Sequence, residues 1–147
     1  MNLSGAHLFQ ASALQIWEIL MDEQKLAEIT PGISRLERIG DDTFLAISEV
    51  KIGPVKGSFS GELAILEVIE HESFLLKISQ KSKIGNADAA VNIRLQPVED
   101  GQVQLHFDGA AKLSGLLAST GQRVMSGVAN ALTKQFFEGL EKALRTA

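Results

Sequence analysis

The strongest constraint in this sequence is its last long stretch, from about Ser119 to Leu144. From Gly121 on it reads GQRVMSGVANALTKQFFEGLEKAL. Val124, Val128, Leu132, Phe136, Leu140 and Leu144 recur at every fourth position, with Met125, Ala129 and Phe137 beside them. That spacing makes the apolar stripe of a helix, not the alternation of a strand. Roughly 25 residues of helix measure about 38 Å. A helix of that length needs an apolar partner of matching length. The chain ahead of it supplies one, as a series of alternating strands. The expected arrangement is a curved antiparallel sheet gripping one long helix, with something apolar held between them. Phe136, on the stripe, is expected to be fully packed. Phe137, on a neighbouring angle, is expected to be less so.

Residues 3 to 10 can form a first strand, with Leu3, Gly5, His7 and Phe9 on one face. Ser12 stands three residues before Gln15, the spacing of a capping box. A short helix follows, with Ile16, Trp17 and Leu20 on one side. A second runs over 24–29 and stops at Pro31-Gly32, because proline cannot continue a helix and glycine permits the turn. From Ile33 the period changes from 3.6 to 2. Strands are expected near 34–39, 43–52, 57–69, 73–83, 86–97 and 102–112. They are separated by turn chemistry such as Gly40-Asp41-Asp42, Gly53-Pro54 and Glu99-Asp100-Gly101. Links this short imply antiparallel neighbours. The alternation of Ala89, Val91, Ile93 and Leu95 against Asp88, Asn92, Arg94 and Gln96 gives one inward face and one wet face. The fold class is therefore α+β: seven strands, two short helices after the first, and a long terminal helix. No repeat, linker or low-complexity tract divides the chain, so residues 1–147 form a single domain.

The charge and residue inventory excludes several functions. A net charge of −4 argues against a generic nucleic-acid binder. With no cysteine there is no disulfide, thiol chemistry or cysteine-bound zinc. That fits a reducing cytoplasm, and the start MNLSGAHLFQ lacks the pattern of a secretory leader. No apolar run approaches the ~20 residues of a membrane span. His7, His71 and His106 share no metal-ligand spacing and read as surface histidines. The stretch Gly53-Pro54-Val55-Lys56-Gly57-Ser58-Phe59-Ser60-Gly61 is not a phosphate loop. Its lysine precedes the glycine, and a strand follows where a helix is required. It reads as a hairpin leading into a strand bent at Gly57 and Gly61. There is no GxSxG nucleophile motif, and neither Glu49 nor Glu62 is singled out as a general acid. No catalytic residue, metal or cofactor is expected.

The 45% hydrophobic content leaves material for a lined cavity. With no tyrosine and one tryptophan, the inward face offers few aromatic hydrogen-bonding groups. The expected lining is Phe59, Leu63, Phe74, Leu76, Ile78, Val91, Ile93 and Phe107 from the strands. Leu117, Gly121, Met125, Val128 and Leu132 are expected to face them from the helix, a surface suited to an apolar ligand. Small residues favour room near the start of the helix: Gly121, Ser126, Gly127, Ala129 and Ala131, opposite Ala87, Ala89, Ala90, Gly109, Ala110 and Ala111. The mouth is expected near Pro31-Gly32 and Gly53-Pro54. Leu116, Leu117 and Met125 folding inward would instead close the space.

The order strand, two short helices, six strands and long helix resembles the helix-grip fold of the START-like superfamily of polyketide cyclase and lipid transport proteins. Three phrases narrow the likeness. They are Trp17-Glu18-Ile19-Leu20-Met21-Asp22 with Leu26-Ala27 and Pro31-Gly32, the stretch 53–61, and Gly127-Val128-Ala129 with Gln135-Phe136-Phe137. Together they resemble the bacterial G-subunit family of carbon monoxide dehydrogenase, over nearly the whole chain. Members usually carry a cysteine soon after the Pro-Gly pair. Here Ile33-Ser34 occupies that segment, which removes any thiol role. The resemblance implies a non-enzymatic binder of a hydrophobic small molecule, lipid or quinone-like. It further implies an adaptor for assembly or membrane recruitment of a molybdenum-containing dehydrogenase, in the cytoplasm or at the inner face of the membrane. Two alternatives stand beside it: a cyclase or isomerase using the same cavity, and a protein-interaction module with a filled core.

Overall fold

A computed structural model describes residues 1–146. Strand β1 (Asn2–Phe9) is followed by helices α1 (Ala13–Leu20) and α2 (Glu23–Ile29). Six strands come next: β2 (Ile33–Arg38), β3 (Thr43–Ile52), β4 (Val55–Ile69), β5 (Ser73–Ser82), β6 (Gly85–Pro97) and β7 (Val103–Leu113). A short helix α3 (Gly115–Ser119) leads into the long α4 (Gln122–Thr146). The seven strands form one antiparallel sheet in the order β1-β7-β6-β5-β4-β3-β2. β1 therefore returns to pair with β7, and β1 and β2 are the two edges. This is the helix grip expected from the sequence, with its α+β class and seven strands.

Local signals explain the helix boundaries. The Ser12 hydroxyl accepts from the Gln15 amide at 3.1 Å, and the Gln15 side chain accepts from the Ser12 amide at 2.9 Å. Both halves of the capping box are thus made. Ser12→Ala should cost about 1 kcal/mol in urea denaturation, with the slope of the transition unchanged. At the other end of the chain, the expected long helix starts at Gln122 and runs unbroken to Thr146, and an additional short helix precedes it. Gly121 has φ +105°, a left-handed conformation open to glycine, and it separates α3 from α4. Residues 115–119 then fold against the β5–β6 hairpin. The Leu117 amide donates to the Ile84 carbonyl at 3.0 Å, and the Asn86 amide donates to the Ser114 hydroxyl at 3.0 Å.

Glycine is sterically required at one of the two strand positions named from the sequence. A Cβ on Gly61 would stand 1.9 Å from the Ser79 carbonyl oxygen, so β4 approaches β5 where only glycine fits. A Cβ on Gly57 would make an ordinary 3.4 Å contact with Ile84, so the space there does not demand glycine. Gly109 on β7 does for that strand what Gly61 does for β4, with the Ala90 carbonyl oxygen 2.0 Å from its absent Cβ.

The core is divided. One cluster holds Phe9, Ile16, Trp17, Ile19, Leu20, Phe44, Phe74, Leu105, Phe137 and Leu140, among others, at the end where α1 and α2 sit. A second cluster, Val55, Phe59, Leu117, Met125 and Val128, lies at the opposite end, under the β3–β4 hairpin and α3. The helix stripe does not follow the expected line along its length. Val124 is 41% exposed and Phe136 only half-buried, whereas Phe137 is buried at 8% and Leu140 at 0%. The expectation that Phe136 packs better than Phe137 is therefore reversed. With 3.6 residues per turn, a row of every fourth residue advances about 40° around the helix at each step. The row starts on one flank, crosses the sheet-facing side near Leu132 and Phe136, and leaves Phe137 to turn into the first cluster.

Candidate functional site

Seen row by row, the inward face of the sheet is packed at both ends and thin in the middle. Phe74 and Val91 are buried, as are Phe59, Leu117, Met125 and Val128 in the second cluster. Leu63, Leu76, Ile78, Ile93, Phe107 and Leu132 are half-buried. Leu63, Leu76, Ile93 and Phe107 lean on the first cluster and Leu132 on the second. The half-covered residues of the expected lining thus sit between the two clusters, opposite the middle of α4. They do not sit at its first turns, which Leu117 and Met125 close. Leu116 does not fold inward; it is 63% exposed. Gly121 lies in the α3–α4 break with nothing within 4 Å of its Cβ position.

The small residues sort by strand parity. Register pairs Ala46 with Gly61, Gly61 with Gln80 and Gln80 with Ala87, all on the inward face. Ala89 pairs with Ile78 and Ala111, and Val91 with Gly109, also inward. Their low relief makes room beneath α4. Ala90 and Ala110 are on the opposite face. They line an outer trough of about 700 Å³ with Glu62, Ala64, Lys77, Asp88 and Lys112. Gly127 is exposed, with open space at its Cβ position, so it points away from the sheet.

Both expected mouth segments lie along β3. The Gly32 carbonyl accepts from the Glu49 amide at 2.9 Å. Gly32 has φ +77°, and its Cβ would meet the Glu49 carbonyl oxygen at 2.3 Å, so the turn requires glycine. Gly53-Pro54 makes the turn at the end of the same strand, about 13 Å further on at ~3.3 Å per residue. Beyond Ser48 no β2 partner covers β3. A cleft of about 680 Å³ lies between α2, β2 and α4, lined by Pro31, Gly32, Leu36, Gln135 and Gly139 among others.

Ionisable side chains are placed sparsely inside. The inward positions of β3 to β7 carry none. His7 and Arg38 occupy inward positions on the two edge strands. Arg38 is exposed and lies across the Phe44 ring, 4.6 Å from its centroid. His7 is not the surface histidine expected from the sequence. It is half-buried, stacked on Phe137 with centroids 4.9 Å apart, and its Nε2 is 2.6 Å from Glu141 Oε1. The shared face of His7 and Phe9 was readable from alternation, but its partner on a distant helix was not. Among the described residues no three His, Asp or Glu side chains converge as metal ligands, and no helix is long and apolar enough to cross a membrane.

Comparisons with known proteins agree with this geometry. A family model described as the carbon monoxide dehydrogenase G-subunit (CoxG) matches residues 5–145. Among curated proteins, none matches. A crystal structure of a conserved protein from Geobacillus kaustophilus is similar with TM-score 0.97 and 27% identity, over 99% of this chain and 96% of that one. A START superfamily protein from Mycobacterium smegmatis shares the fold with TM-score 0.78 and 14% identity, over 99% of this chain and 97% of that one.

Proposed function

The chain belongs to the carbon monoxide dehydrogenase G-subunit (CoxG) family, and on that premise we propose that it is a non-enzymatic carrier of a hydrophobic small molecule, lipid or quinone-like. The observation that carries this reading is the divided core. Apolar burial is worth about 25 cal/mol per Å², and one larger side chain at Ala89 or Ala111 would gain some of it. The chain instead keeps small residues beneath a half-covered apolar strip. A guest in that strip would bury what the protein leaves open. The guest would enter along the uncovered part of β3, between Pro31-Gly32 and Gly53-Pro54. A cyclase or isomerase needs ionisable groups at its guest, and the inner strands offer none.

The test is titration with an environment-sensitive fluorescent alkyl probe, together with native mass spectrometry of protein from its own host. Ala89→Leu should remain folded and lower probe affinity on the order of tenfold. Absence of binding by the folded wild type to every apolar probe tried would favour an interaction module with a filled core.

The adaptor side of the reading draws on the family's name for a dehydrogenase partner, and on charge placement for a membrane. Lys51, Lys56, Lys81, Lys83, Lys112 and Arg123 gather at the end of the grip that holds the second cluster. All are exposed, and among the described residues none is in an ion pair. Leu116 and Val124 lie exposed at the same end. Such an end suits the anionic surface of a cytoplasmic leaflet. Sedimentation with anionic vesicles should carry the protein down at low salt and release it at high salt. Equal recovery with zwitterionic vesicles would count against a charge-driven contact.

A further inference from the structure

Charge is divided between the two ends of the grip, and so are the exposed apolar side chains. The turns 39–42, 67–72 and 98–102 and the stretch 13–29 lie at the end of the first cluster. They carry eleven acidic residues and a single lysine, Lys25, with no arginine. At the other end, the stretches 50–57, 81–88 and 112–124 carry six lysines and arginines against Asp88 alone. Among the described residues, the eight exposed large apolar side chains divide six to two between the same ends. Each end therefore combines apolar surface with charge of one sign.

The β4–β5 hairpin shows how the acidic end presents that surface. Between Leu66 and Ile69 the register on β5 shifts, and Glu67 takes φ +50°, an uncommon conformation for a residue with a side chain. Such a bulge interrupts the alternation of faces. Val68 and Ile69 consequently both stand out, 51% and 55% exposed, flanked by Glu67, Glu70 and Glu72. Among the described residues, Glu67 and Glu72 are in no ion pair. At the basic end, Arg123 precedes the exposed Val124. The exposed Leu116 belongs to α3, which is bonded to the Ile84 carbonyl next to Lys83.

We propose that the acidic end of one molecule docks on the basic end of a second copy of this chain, head to tail. The second copy presents the complement the acidic end requires, apolar side chains among charges of the opposite sign. An anionic membrane would be repelled there, and like ends repel one another, which disfavours a symmetrical pair. Two different surfaces at opposite ends make a heterologous contact that does not close, so copies add in a row. The net charge of −4 opposes association at long range. At about 0.1 M salt, with a Debye length of ~10 Å, that repulsion is screened over most of the distance between molecules. Opposite charges brought into contact across the two ends are screened far less. The basic end is also the one suited to an anionic leaflet, so self-association and membrane contact exclude each other on the same molecule.

The test is sedimentation equilibrium of the wild-type protein over a concentration series, at about 0.1 M and about 1 M salt. At the lower salt the weight-average mass should climb with concentration to at least twice the 15.8 kDa of the chain, and at the higher salt it should fall back to 15.8 kDa. Two triple variants then block one end each. Val68→Ser with Glu70→Gln and Glu72→Gln blocks the acidic end, and Leu116→Ser with Lys83→Gln and Arg123→Gln blocks the basic end. All six positions are exposed, so both variants should keep the wild-type thermal transition. Each variant alone should stay monomeric. An equal mixture should form a species of twice the chain mass and nothing larger, because each copy has one end left. Wild type that stays monomeric at every concentration and both salts would leave the acidic end to another partner and overturn the proposal. So would association by either variant alone, or a mixture that stays monomeric. None of these outcomes bears on the carrier reading, which the alkyl probe tests separately.

Discussion

Phe137→Ala should be among the most damaging substitutions in this chain, costing about 3–5 kcal/mol. Its ring is buried and packs edge-on to Phe9, with centroids 5.8 Å apart. It also stacks on His7 and meets Phe107 at 5.9 Å. Truncation would lose the transfer energy of the ring, leave a cavity in the larger cluster, and free the β1–α4 seam. Phe136→Ala should cost clearly less, because its ring is already half in contact with the gap. The measurement is a pair of urea or guanidinium transitions read as free energies at constant slope. Equal losses for the two variants would mean that Phe136 carries as much packing as its neighbour, contrary to its exposure.

Gly61→Ala should be comparably severe, for the opposite reason. The added methyl would meet the Ser79 carbonyl oxygen at 1.9 Å, and that oxygen belongs to the backbone of the neighbouring strand. It cannot rotate away as a side chain does, so β4 or β5 must shift. A cost of about 3 kcal/mol, at the upper end of overpacking, is expected, with weaker probe binding because Gly61 lies in the floor of the gap. Gly57→Ala is the control. Its methyl would meet only the end of Ile84 at 3.4 Å. Removing a strand glycine there should be neutral or stabilise by roughly 0.5–1 kcal/mol. Matching behaviour of the two variants in thermal denaturation and probe titration would mean that the close approach at Gly61 does not constrain the sheet.

Much of the candidate site was legible because strand parity is a property of each strand alone. Leu63, Leu76, Ile78, Ile93 and Phe107 fall inward by alternation, and no tertiary knowledge is needed to say so. The strand glycines were legible only in part. Gly57 and Gly61 look alike in sequence, but only Gly61 has a carbonyl pressed against its Cα. Gly109 carries the same constraint and was read merely as a small residue. The pairing of His7 with Glu141 joins positions 134 apart in the chain, and nothing local announces it.

By itself the sequence determined the order and type of every main element, the grip of sheet on helix, and the apolar, charge-poor inward face. Those follow from short-range periodicity, turn chemistry and capping, which each segment carries with it. Only the tertiary structure decided how the long helix is rotated on the sheet. It therefore decided that Phe137 packs where Phe136 does not, that the core splits in two, and that the half-covered strip lies opposite the middle of α4. A helical stripe defines a face only relative to its own axis. The angle at which that face meets a twisted, bent sheet is set by the contacts of α1, α2 and β1 with α4, and those exist only once the chain has folded.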